Sequence, residues 1–415
     1  MSNRRKFLNL QNQRDKILDP FFFTVLLTGW FGYIFLAPIY VFESGLPQPA
    51  DLLIFTVSSL GIGLYLLKAR IVFDRVFATL GVMVALFAAI NLSYSFYYGD
   101  SKFYYAILYY IFNMIAFGTT AIIFHDNPDR AFSIARIATI AALFLEITWI
   151  ILFDSNAKHR ETGSFNNPNQ LGYWSILAAA TLLVFNEKRK MPLLDLIAIL
   201  LAGYLIMLSL SRAALAGYIL IMGALMLSKS ISVYAKSAAA LLVCMVILLK
   251  ALTLDPGEPL FQVPDFADKV TERLDLASQN DPEKFEERGY QRLWQYPEYL
   301  LFGSGEGAFW RFMDVVYAGR SEASGLEIHS GLATLLFSYG IFGFTLFCTF
   351  IYTIFQRAPI LYWVTLVAVM SYGLTHQHIR FTGFWIYIGI VYGMTRYVLP
   401  KREAENIAEQ RRNLP

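Results

Sequence analysis

Long apolar stretches dominate this chain, and short polar clusters separate them. Twelve runs stand out, at roughly 20–43, 50–67, 74–97, 103–124, 132–153, 170–186, 191–209, 212–228, 231–252, 328–355, 358–375 and 380–399. Runs of about 18 residues or more are long enough for an α-helix to cross roughly 30 Å of hydrocarbon. The pattern therefore predicts an all-α polytopic membrane protein with about twelve transmembrane helices. Residues 1–415 read as a single transmembrane domain, with no repeat at a fixed period and no low-complexity tract. One polar segment, 253–328, is large enough to hold structure of its own. Within it, Asp265 to Leu276 and Asp281 to Leu301 alternate charge with Phe, Leu, Trp and Tyr, which predicts amphipathic helices lying over the membrane surface.

Composition sharpens this reading. Of 415 residues, 56% are hydrophobic and only 16% charged, and the mean hydropathy is +0.48. A soluble surface of that length demands more charge. The first apolar run is long and has no small-residue cleavage site after it, so it reads as a span and not a cleavable signal. Cys244 and Cys348 both fall inside apolar runs and are expected to be packing residues, neither disulfide-bonded nor metal-ligating.

Charge sets the expected orientation. The N-terminal tail carries Arg4, Arg5, Lys6, Arg14 and Lys16, and the C-terminal tail Lys401, Arg402, Arg411 and Arg412. Alternate connections carry Lys68, Arg70 and Arg75; Arg130 and Arg136; Lys188, Arg189 and Lys190; Lys229 and Lys236; and Arg357. Basic residues are retained on the cytoplasmic side, so both termini are expected inside and 253–328 outside. Arg160, Arg212 and Arg380 then lie at outer boundaries, against that bias. A charge held there needs a partner or a ligand, since an arginine at mid-bilayer costs on the order of 2.5–3.5 kcal/mol by insertion scales.

Four outer segments carry candidate chemistry. Arg160 precedes Gly163-Ser-Phe-Asn-Asn-Pro-Asn169, where the turn residues open the sixth run and Asn169 is a candidate N-cap. A helix N-terminus beside an arginine suits an anion. Ser209-Leu-Ser-Arg212 is a turn too short to carry its arginine far from the bilayer. Arg288-Gly-Tyr-Gln-Arg292 and Leu301-Phe-Gly-Ser-Gly-Glu306-Gly307 follow; alternate glycines suggest a phosphate loop, but the lysine and Ser/Thr of a nucleotide site are missing. Tight turns shaping a substrate cleft fit better. Glu327-Ile-His329-Ser330 leads into the tenth run, and a histidine with a reference pKa near 6.5 is suited to take a proton at neutral pH. Glu327 is a candidate to orient that ring. His376, His378 and Arg380 form a further cluster, a supporting shell; two histidines two apart without a third ligand do not make a metal site.

In this order, Gly163-Ser-Phe-Asn-Asn-Pro-Asn-Gln-Leu-Gly172, Ser211-Arg212, Leu301-Phe-Gly-Ser-Gly305, and His329 with Ser338-Tyr-Gly-Ile-Phe-Gly343 resemble the O-antigen ligase and Wzy-type polysaccharide polymerase superfamily of bacterial inner membranes. The resemblance spans about 160 to 345 and implies a C-type glycosyltransferase-like architecture with 253–328 as its large periplasmic loop. It implies transfer of an oligosaccharide from undecaprenyl pyrophosphate to an acceptor hydroxyl, with inversion and without metal, nucleotide or other cofactor. Partners would be the lipid-linked oligosaccharide, a glycan or lipid acceptor, membrane lipids and a chain-length regulator, with no nucleic acid. Residue by residue, Arg160 and Arg212 would hold the pyrophosphate and His329 would be the general base. Asn169, Arg288, Arg292, Glu306, Glu327 and Arg380 would contact substrate or support the site. Ligases of the family often carry Asn after the histidine, where this chain has Ser330; the Arg288–Arg292 and Gly305–Gly307 pieces look more like exopolysaccharide and capsule polymerases. Polymerisation is the expectation, with ligation to lipid A–core as the alternative within the class. A lipid-linked glycan transporter is the rival outside it, and it needs ionisable residues mid-membrane, for which Glu146 and Asp195 are the candidates.

Overall fold

Eleven of the twelve apolar runs are helices, and the run at 231–252 lies outside the described residues. The structure, a computed structural model, describes residues 19–43, 45–67, 74–153, 160–227, 289–312 and 327–412. The helices are α1 (Pro20–Leu36), α2 (Pro49–Leu67), α3 (Arg75–Tyr98), α4 (Lys102–Asp126), α5 (Pro128–Phe153), α6 (Pro168–Phe185), α7 (Leu193–Ser209), α8 (Arg212–Leu227), α9 (Gly331–Phe355), α10 (Ile360–Tyr372) and α11 (Thr382–Gly393). A π-turn at Met394–Val398 joins α11 to a polar terminal helix, α12 (Leu399–Arg412). Helices α3, α4, α5 and α9 are long and apolar enough to cross a membrane, and several others are shorter apolar helices. The described chain is thus the all-helical bundle of an integral membrane protein.

Helix α6 is the axis of the bundle. Every residue from Leu171 to Phe185 is buried, as expected of a helix that is apolar all round. It packs on α5, α7, α8, α10 and α11. Its start follows from local chemistry: Asn167, in extended backbone, accepts the Asn169 N–H at 2.8 Å, and Pro168 supplies a preset φ at the first helical position. The N-cap is therefore Asn167, two residues before the expected Asn169.

Helix α9 is broken inside. Gly340 sits at φ 64°, ψ −174°, which interrupts the i→i−4 ladder. The carbonyls of Phe337 and Ser338 instead accept the N–H groups of Ser304 and Gly305, both at 2.9 Å. Non-helical backbone inside a membrane bundle persists only where protein satisfies its polar groups, and the segment 303–307 does this. The approach is so close that a Cβ on Gly303 (φ 89°) would strike the Ser338 carbonyl, and one on Gly340 the Leu301 carbonyl.

The long polar segment contributes 289–312 to the described chain. In place of the single amphipathic helix expected to end at Leu301, it forms one-turn helices at Arg292–Gln295 and Tyr299–Phe302. Between them, Tyr296 and Pro297 interrupt the helix. Residues 265–276 lie outside the described residues. Cys348, expected in the packing, is exposed on α9; Cys244 lies outside the described residues.

Gly340→Ala is expected to destabilise the protein by about 1–3 kcal/mol from backbone strain alone, with the collision adding to it. Thermal unfolding in detergent checks this: a melting temperature equal to wild type would remove the broken helix from the account.

Candidate functional site

Three separated segments meet at the end of the bundle where α6 begins and α7 ends. Arg160 donates from Nε to the Ser209 carbonyl at 2.9 Å and from Nη2 to Asn169 Oδ1 at 2.8 Å. The Glu161 N–H donates to the Leu208 carbonyl at 3.1 Å, so this strand of loop is tied to the C-terminus of α7. There Leu210 takes a left-handed conformation, φ 50°, and the chain reverses into α8 within two residues. Gly172 is where α6 touches this turn; a Cβ would press on Ser209, Ser211 and Ala214. Arg212, the first residue of α8, is exposed. The structure brings Arg160, Asn169 and the Ser209–Arg212 turn together in space.

A second cluster is built on Glu306. The glycine segment carries this carboxylate into the bundle until its side chain is 2% exposed. Tyr110 and Tyr339 donate their hydroxyls to Oε2 at 3.0 and 2.8 Å, and Arg380 places Nε and Nη2 on Oε1, both at 2.6 Å. Asn91 braces the arrangement, accepting the Glu306 N–H at 2.8 Å and donating to the Tyr339 hydroxyl at 3.1 Å. Arg380 also pairs through Nη1 with Glu327. Burial works against the Arg380 charge, but the two carboxylates outweigh it and hold its pKa above the ordinary arginine value. Arg311 fastens the outside of the same segment, donating from Nη2 to the Ser304 carbonyl at 2.8 Å and lying over Tyr94, Tyr98 and Phe103.

His329 is exposed at the edge of this cluster, on the two residues that enter α9. Ser330 caps α9, accepting the Ala333 N–H at 3.2 Å and donating to the Gly373 carbonyl at 3.0 Å. The Gly331 N–H donates to the His376 carbonyl at 3.0 Å. The segment bearing His329 is therefore pinned to the α10–α11 link by backbone and cap, by Gln377, whose Nε2 donates to the Ile328 carbonyl and to Thr334 Oγ1, and by the Arg380–Glu327 pair. Behind it, the fully buried His378 ring fills the space left by Gly331 and Gly373, with Met370 Sδ 3.3 Å from Nε2. Burial pushes this imidazole down to about 3, so it is neutral in the folded protein.

Tyr372 joins the two clusters. Its hydroxyl donates to the Asn169 carbonyl at 2.8 Å, its ring stacks on Tyr173 at 4.4 Å, and its other neighbour is His376, stacked at 4.5 Å. Through His376 it reaches Gly331 and so His329.

Several expectations change. Glu327, expected to orient the His329 ring, has its carboxylate on Arg380. Arg292 is buried among Phe309 and Phe312, 5.9 and 5.8 Å from the ring centroids, which places it in a small aromatic cluster beneath the outer surface. Arg288 lies outside the described residues. Tyr110, Tyr372 and Asn91 were not singled out from the sequence, and Tyr339 only as part of the Ser338–Gly343 piece, because a polar atom at the tip of a residue inside an apolar run gives no pattern of its own. The two mid-run carboxylates are both engaged. Glu146 accepts the Ser164 N–H at 2.8 Å and its hydroxyl at 2.5 Å, tying down the loop after Gly163. Asp195 takes Arg136 Nε at 2.7 Å and Asn186 Nδ2 at 2.7 Å at the opposite end of the bundle.

Residues 197–348 match the O-antigen ligase (Wzy_C) family model. The match begins in α7, takes in the Ser209–Arg212 turn, Glu306 and His329, and ends in α9, so the resemblance read from the sequence holds over this stretch. Proteins of this family are ligase or polymerase enzymes of glycan transfer. No curated protein matches the chain.

Removing one partner from a buried ion pair typically costs 3–5 kcal/mol. Arg380 is 26% exposed and keeps Glu327, so Glu306→Ala is expected to cost somewhat less, about 2–4 kcal/mol. In a double-mutant cycle with Arg380→Met, additive losses would show that the pair is not coupled. A second prediction concerns pH. Because the folded His378 pKa lies far below the unfolded value near 6.5, acidification favours the unfolded state from pH 6.5 downwards, at about 1.4 kcal/mol per unit. Between pH 6.5 and 5 the stability of the wild type should fall by about 2 kcal/mol relative to His378→Gln; parallel stability–pH curves would exclude the buried neutral imidazole.

Proposed function

We propose that this chain is a multi-pass bacterial inner-membrane glycosyltransferase that polymerises undecaprenyl-pyrophosphate-linked oligosaccharide at the periplasmic face, with both termini cytoplasmic. The observation that carries the reading is the convergence of Arg160 with Asn169, the Ser209–Arg212 turn, and the His329 segment at one end of the bundle, linked through Tyr372. These are the segments on which the resemblance rests, and two of the three lie inside the family match.

In the proposed mechanism Arg160 and Arg212 hold the pyrophosphate. A planar guanidinium pairs two N–H groups with phosphate oxygens and stabilises the charge that grows on them as the leaving group departs. The bonds from Arg160 to Ser209 and Asn169 fix the plane of its guanidinium before substrate arrives, which lowers the ordering cost of binding. His329 takes the proton from the acceptor hydroxyl. That oxygen forms a bond to the anomeric carbon as the bond to the pyrophosphate oxygen breaks, and attack from the opposite side inverts the centre. No step calls for a metal or nucleotide. Glu306, Glu327 and Arg380 position the His329 segment against the glycine segment. The segment 253–328 is the large periplasmic loop of this reading, and twelve spans carry the whole.

Ligation to a lipid A–core acceptor is the second reading, favoured by the description of the family matched. Transport is disfavoured, because Glu146 and Asp195 are committed to structural bonds.

The test supplies purified protein with lipid-linked repeat units, with and without lipid A–core. Longer lipid-linked chains without core support polymerisation; product only with core supports ligation; no product in either arm rejects transfer. His329→Ala should lower the rate by about 10²–10⁴, the usual contribution of a general base. Arg160→Ala and Arg212→Ala should each lower it by a comparable factor while the melting temperature stays near that of wild type. Undiminished turnover in His329→Ala would reject the assigned base.

A further inference from the structure

At the opposite end of the bundle, two arginines from distant elements gather on one ring, with a third nearby. Arg189, in the link between α6 and α7, and Arg402, on α12, place their guanidinium carbons 5.1 and 4.7 Å from the centroid of Phe132 on α5. Arg136, one turn further along α5, lies close enough to repel Arg189. Three of the nearby carboxylates already have partners. Asp195 is taken by Arg136 and Asn186, Asp129 by Lys401, and Glu403 by Lys188. Asp195 acts on Arg189, and Asp129 and Glu405 act on Arg402, but among the described residues neither arginine has a carboxylate at ion-pair distance, and Arg402 donates from Nη1 to the Glu187 carbonyl at 3.2 Å.

A bias toward basic residues on one side of a membrane accounts for their number but not for this convergence. Long, like-charged side chains spread apart unless the fold gathers them, and here the Phe132 ring does so. Two guanidinium forks held near one another suit a phosphate, which accepts from both. The surroundings select the source of that phosphate. Leu193 and Leu194, within five residues of Arg189, are 63% and 46% exposed, and Ile137, one residue beyond Arg136, is 51% exposed. Apolar side chains left uncovered a few residues along the chain from clustered cations match a molecule with a charged head and a hydrocarbon body.

We propose that Arg189 and Arg402, gathered on Phe132 with Arg136 beside them, bind the phosphate headgroup of an anionic phospholipid whose chains lie against Leu193, Leu194 and Ile137. The site is about one helix length from the Arg160 cluster and independent of the glycan-transfer reading, so either stands if the other fails.

The experiment measures thermal stabilisation of the full-length, detergent-purified protein by phosphatidylglycerol, phosphatidylcholine and inorganic phosphate at matched ionic strength. Phosphatidylglycerol should raise the melting temperature saturably, and the other two should not. Arg189→Gln with Arg402→Gln should weaken the apparent affinity about tenfold or more, the loss expected for one or two charge-assisted hydrogen bonds. Arg130→Gln with Lys190→Gln, equal in charge removed but away from the ring, should leave it unchanged. If the first pair does not fold, Phe132→Leu keeps every charge and should still weaken the affinity severalfold. Equal effects of the two charge-removing pairs would reduce the site to diffuse charge and overturn the proposal. An equal shift with inorganic phosphate would overturn the lipid as source, and an equal shift with phosphatidylcholine would overturn phosphate recognition of anionic lipid.

Discussion

Backbone polarity inside an apolar bundle is the constraint on which this structure turns. Helix α9 cannot run straight through Gly340, and the carbonyls that the break exposes would each cost several kcal/mol in a medium with no water. The N–H groups of Ser304 and Gly305 supply the missing partners. That repair draws the glycine segment into the bundle, and with it Glu306. A buried carboxylate then needs cations and donors of its own, which Arg380, Tyr110 and Tyr339 provide. Because Arg380 also reaches Glu327, two residues before His329, the broken helix fixes the position of the exposed histidine through a chain of obligatory bonds.

The arginines differ in how far the fold uses them. Arg380 and Arg311 are consumed by the fold, one by two carboxylates and the other by carbonyls and rings. Arg160 and Arg212 border the N-terminus of α6 and the start of α8, where partial positive charge from the helix ends adds to theirs. All four are outward arginines by charge pattern, yet only the second pair sits where an anion would gain from several donors at once.

The fold was legible because hydrophobic run length is a strong signal: eleven of twelve runs emerge as helices, and the other lies outside the described residues. The site was legible only in part. Arg160, Arg212 and His329 stood out because charge at an outer boundary is unusual. Glu327 was read beside His329 because spacing along the chain places it there; Arg380, 53 positions later, pairs with it in space. Tyr372 gave no signal, since it ends an apolar run, and His378, read from the sequence as part of a supporting shell, fills a space that two glycines create. Asn167 displaced Asn169 as the cap because Pro168 must occupy the first helical turn.

The bond between Arg380 and Glu306 also has a consequence for biogenesis. Glu306 leaves the ribosome 74 residues before its partner, a lag of roughly 4–15 s at ordinary synthesis rates. During that interval the carboxylate has tyrosines to donate to it but no cation, so charged Glu306 is expensive to bury. The glycine segment is therefore expected to seat in its final place only when the last apolar helix arrives. A chain truncated before Arg380 would keep most of its helices and lack a formed site, which makes assembly of this end of the bundle a late checkpoint on completion of the chain.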